Sequence, residues 1–73
     1  MTEIGILLDK KSVNKAAISR RTGISASRLS ELSLKSSTRL TAEELYLIAL
    51  AIDIKPAIVL EEVCKNLKLK ARK

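Results

Sequence analysis

The chain has 73 residues, 47% of them hydrophobic, with 14 Lys and Arg against 8 Asp and Glu for a formal charge of +6. That length allows one domain and buries only roughly 60% of the surface its unfolded form exposes, while the absence of His, Trp and Phe and the single cysteine, Cys64, removes the usual general base, any disulfide framework and any metal cluster, so neither an enzyme nor a metal or cofactor site is expected. The excess of positive charge points instead to a polyanionic partner.

The first element is a helix over residues 2–10 that buries Ile4, Leu7 and Leu8 and tolerates Gly5 at a cost of about 1 kcal/mol relative to Ala. Its apolar run, residues 4–8 between Glu3 and Asp9, is too short for a signal-peptide core or a membrane span, so a cytoplasmic chain is expected. Asn14 caps a second helix that turns Ile18 and Thr22 to the core, and Gly23 stops it. Two residues on, Ser25 caps a third helix over 25–32 in which Leu29 and Leu32 are the inward residues. Residues 33–39 read as a polar loop with Leu34 tucked back onto the body. Thr41, with Glu44 three residues later, forms a capping-box signature for a fourth helix over 42–52, whose Leu45, Leu47, Ile48, Leu50, Ala51 and Ile52 cover more than one face, as in a helix packed centrally. Pro56 suits the first turn of a last helix that continues through Val59, Leu60, Val63, Cys64 and Leu67. No stretch alternates with the period of a strand, so the fold class is all-α: a compact bundle of about five short helices over residues 1–67, followed by a basic, frayed tail over 68–73. Cys64, with no His to activate it, reads as a small core residue.

Charge is segregated along the chain. Residues 1–9 carry −2 and residues 10–39 carry +7, with Glu31 the one acid in that stretch. The sign then reverses to −4 over residues 40–63 and returns to +5 over 64–73, which hold no acid.

On these residues the sequence resembles the phage repressor and Cro-like helix-turn-helix family, also called the XRE type. The stretch VNKAAISRRTGISASRLSEL matches its two central helices: Asn14 and Lys15 stand at the start of the first, Ser19 at the small position, Gly23 at the turn, Ser25 at the cap, and Leu29 and Leu32 at the buried pair. LTAEELYLIALAIDIKPAIVL resembles the following two helices, so the likeness covers about 60 residues. The chain departs from the pattern at Ser19, where Ala is usual, at Ser33-Leu34-Lys35, where the family often has an acid and a glycine, and at Asp53, where glycine often ends the fourth helix.

The resemblance implies a lambda-repressor-like domain that places its third helix in the major groove of double-stranded DNA. With Leu29 and Leu32 inward, 100° per residue puts Ser27, Ser30 and Glu31 opposite the core and Ala26 and Arg28 on the flanks, making these five the base-reading candidates. Glu31 has an alternative use, pairing with Arg28 or Lys35. Asn14, Lys15, Arg20, Arg21, Ser25, Lys35 and Arg39, together with Lys10 and Lys11, are the candidates for phosphate contact. Ile58, Val63, Cys64 and Leu67 exceed what a small core needs and are the expected self-association surface. The expected function is sequence-specific DNA binding by a transcriptional regulator, a repressor of phage, plasmid or mobile-element type, acting as a homodimer on a two-fold operator. The alternative is an antitoxin-like or regulatory module that uses the same fold to bind a protein partner, which the acidic second half would suit.

Overall fold

A computed structural model describes residues 1–71; Arg72 and Lys73, the last two residues of the expected basic tail, lie outside the described residues. The described chain forms five helices: α1 (Glu3–Lys10), α2 (Lys15–Thr22), α3 (Ala26–Leu34), α4 (Ala42–Ala51) and α5 (Pro56–Cys64). α1 packs on α3 and α5, α2 on α3 and α4, and α4 on α5, so the helices close a ring around one core. Leu29, Leu32, Ile48 and Val59 are the largest side chains sealed completely inside it.

Each helix starts on a local signal. The side chains of Thr2, Asn14, Ser25 and Thr41 accept hydrogen bonds from first-turn amides of α1 to α4, and at α4 the Glu44 carboxylate completes the box by accepting from the Thr41 amide at 3.0 Å. α5 has no side-chain cap and starts on Pro56, whose missing donor leaves one fewer amide to satisfy. Gly23 ends α2 at φ 80°, a left-handed conformation that costs glycine nothing, and its amide donates to the Ser19 carbonyl. Thr22 tightens the same turn by donating to the Ile18 carbonyl and accepting from the Ile24 amide.

Several expectations need correction. α3 continues to Leu34 rather than stopping at Leu32, because Ser33 is buried: its hydroxyl donates to the Leu29 carbonyl at 2.8 Å and its own carbonyl accepts from the Thr2 amide at 2.9 Å. Leu34 is therefore not tucked back. Five residues past Leu29 in helical register, it points away from the core and is 60% exposed. Gly5 is not merely tolerated, since a Cβ there would run into the Ser33 carbonyl oxygen where α1 crosses the end of α3. α4 packs on two neighbours only, leaving Tyr46, Leu47 and Leu50 exposed, and Leu7 of α1 is partly rather than fully buried. Finally, α5 ends at Cys64, three residues before Leu67, where Lys65 and Asn66 turn toward Glu3 at 3.6 and 3.2 Å.

Candidate nucleic-acid interface

The short turn at Gly23 joins α2 to α3, and Leu29, Leu32 and Ser33 anchor the buried side of α3. Its other side carries Ser27, Glu31 and Leu34, all exposed, with Ser30 half-buried beside them and Ala26 exposed in the first turn. These residues recur at intervals of three and four and so form one outward stripe. Hydroxyls, a carboxylate and an alkyl group at that spacing can donate to, accept from or pack against base edges. Glu31 has an intramolecular neighbour as well, Lys35 at 4.0 Å one turn later; both are solvated, so this contact holds Glu31 only weakly.

Arg28 is placed differently from the other four base-reading candidates. Its Nε donates to Glu44 Oε2 at 2.8 Å, and its Nη2 donates to Glu44 Oε1 at 3.0 Å and to the Arg39 carbonyl at 2.8 Å. This is a two-pronged contact, the geometry in which a guanidinium grips a carboxylate most firmly. The Arg28 guanidinium, opposed by partial burial, holds the Glu44 carboxyl down at about 2, and the bond from the Thr41 amide adds to the lowering. Glu44 in turn raises the pKa of Arg28. Since α3 and α4 do not otherwise pack on each other, this pair and the Arg39 carbonyl tie the start of α3 to the start of α4. Sequence reasoning missed the tie. The capping box marked one carboxylate oxygen of Glu44, but nothing in sequence marks a second partner 16 residues earlier.

The phosphate-contact candidates divide in the same way. Arg21 Nη1 donates to the Ala51 carbonyl at 2.9 Å, satisfying the last turn of α4. Asn14 and Ser25 spend their side-chain oxygens on the amides of their own helices. Among the described residues, Lys10, Lys11, Lys15, Arg20 and Arg39 enter no ion pair; Lys10, Lys11, Arg20 and Arg39 are exposed, and Lys15 is half-buried. Lys15 and Leu34, the first residue of α2 and the last of α3, both line a small hollow with Met1, Gly5, Leu8, Asp9, Val13 and Ser33.

The expected self-association residues do not form one patch. Ile58 is exposed on one flank of α5, while Cys64 lies about 120° away on the other. Val63 and Cys64 are half-buried and line, with Leu67, a groove against Ile4, Leu32 and Leu40. No group of three or more His, Cys, Asp or Glu among the described residues could hold a metal ion, and no described helix is long and apolar enough to cross a membrane.

Comparison with known proteins finds a family match. Residues 3–65 match the model of the Cro/C1-type HTH DNA-binding domain, a span that includes all five helices and the whole outward stripe of α3. No curated protein and no solved structure matches significantly. With the helix-turn-helix geometry in place and nearly the whole described chain matched, the protein belongs to the Cro/C1-type helix-turn-helix DNA-binding domains.

Proposed function

We propose that the chain is a sequence-specific regulator of transcription, a repressor of the kind carried by phages, plasmids or other mobile elements, and that it reads double-stranded DNA with α3. The observation that carries this reading is the outward stripe Ser27, Ser30, Glu31 and Leu34 on a helix seated by buried Leu29, Leu32 and Ser33. A helix fixed on one side and polar on the other can present base-reading groups without first paying to order itself. Ala26 stands ready for a thymine methyl, Ser27 and Ser30 for either donor or acceptor edges, and Glu31 for a cytosine amino group. Lys15, Lys10, Lys11, Arg20, Lys35 and Arg39 supply the phosphate contacts that fix register, whereas Arg28 positions α3 through Glu44 and Arg21 caps α4.

The protein acts in the cytoplasm as a homodimer on a two-fold operator, with half-sites about 34 Å apart. The self-association surface draws on Ile58, exposed on one flank of α5, rather than on the half-buried Val63 and Cys64. The test is selection of bound duplexes from a randomised pool. Enrichment of a two-fold motif is expected, and Lys15→Ala should weaken every sequence alike and reduce the salt slope by about 1. Failure to enrich any duplex contradicts the regulator reading.

A protein partner is the second reading, favoured by one observation: Tyr46, Leu47 and Leu50 leave the outer side of α4 apolar, with Glu43 beside them. A complex formed through that side would be lost on Leu50→Asp, while DNA binding through α3 would be retained.

A further inference from the structure

We propose that Leu34 is a specificity-determining residue, meeting the C5-methyl group of a thymine in the major groove. The inference rests on the DNA-binding reading above and adds an apolar contact to a face otherwise made of hydroxyls and a carboxylate. Leu34 stands one helical turn beyond Glu31 and two beyond Ser27, on the same outward stripe, and is 60% exposed. A leucine there contributes nothing to the core. The backbone beside it is nonetheless pinned to α1. The preceding residue, Ser33, is buried, donates to the Leu29 carbonyl, and offers its own carbonyl to both the amide and the hydroxyl of Thr2, while Gly5 lets α1 approach this closely. The amide of Lys35 still closes on the Glu31 carbonyl at 2.9 Å, so the last turn of α3 is intact under Leu34.

The position fits the chemistry. Seven residues of helix separate Leu34 from Ser27 by about 10 Å along the axis, well beyond a single base-pair rise of about 3.4 Å. Leu34 therefore serves a base pair that the first turn of α3 does not reach. Lys15, a phosphate-contact candidate, lines the same hollow as Leu34, so on the DNA-binding reading the two border one another's surroundings at this end of α3. The thymine methyl is the one apolar group a base pair offers in the major groove, and cytosine lacks it.

The test uses the full chain and a duplex it enriches from a randomised pool, with each thymine replaced singly by uracil, which deletes the methyl and keeps every hydrogen-bonding group. One such replacement per half-site should weaken wild-type binding about fourfold, the worth of one buried methyl-sized group. The same replacement should be neutral for Leu34→Ala and retained for Leu34→Met, and Leu34→Ala should leave the thermal unfolding midpoint unchanged. If every uracil is neutral for the wild type, or the loss persists undiminished in Leu34→Ala, the proposal is overturned while the DNA-binding reading stands. If the wild type enriches no duplex at all, both fall together.

Discussion

Glu44 serves two helices at once. One of its oxygens accepts from the Thr41 amide and so starts α4, and both accept from Arg28 of α3. The consequence for pH follows from the direction of its shift. In the unfolded chain Glu44 titrates near the ordinary glutamate value of about 4.3, and in the folded chain at about 2. Its contribution is therefore complete above the ordinary value and is lost as pH falls toward 2. Glu44→Gln should lower stability at neutral pH by about 1–2 kcal/mol, after allowance for partial solvent screening. Thermal unfolding followed from pH 7 to pH 2 should show a steeper decline for the wild type than for the variant; parallel curves would mean that the pair contributes nothing. The same geometry changes what Arg28 does. Helical phase alone made it a flanking base reader, and phase was right about its place on the helix, but a guanidinium on a long stem goes to the nearest well-placed carboxylate, and that carboxylate belongs to the next helix.

Helix starts were legible because the physics that sets them is local: Asn14, Ser25 and the Thr41/Glu44 box act on amides within three residues, and Gly23 and Pro56 through their own backbones. Helix ends were less so. The two extra residues of α3 are held by Thr2, 31 residues before Ser33, and the early end of α5 by Glu3, more than 60 residues before Asn66. Polar composition over 33–39 could not reveal that Ser33 is buried against α1. The close approach at Gly5 reverses the expected sign of a substitution. Helix propensity favours Gly5→Ala by about 1 kcal/mol, whereas the collision with the Ser33 carbonyl should make it destabilising by about 1–3 kcal/mol, measurable by chemical denaturation. Asp53 is the opposite case. It sits at φ 59° just past α4, where the Ile54 amide reaches back to the Ala49 carbonyl at 3.0 Å, and a negative charge there faces the carbonyl end of the helix. Asp53→Gly should stabilise the domain by about 1 kcal/mol in the same assay.

Ring closure of the five helices presents α3 outward while burying its other side against α1 and α2. That much was readable from the short turn at Gly23 and the spacing of Leu29 and Leu32. The charge map was readable too, but not its division of labour: of the basic residues over 10–39, Arg28 and Arg21 are spent on contacts to α4, leaving mainly lysines with Arg20 and Arg39 for a polyanion. The central claim, that this remaining face grips the phosphates of duplex DNA around α3, is tested most directly by the salt dependence of binding to one enriched duplex. The logarithm of the affinity should fall linearly with the logarithm of salt concentration, with a slope of roughly −0.9 for each phosphate contacted, hence about −4 to −5 for each protomer using most of these residues. A slope near zero would contradict it.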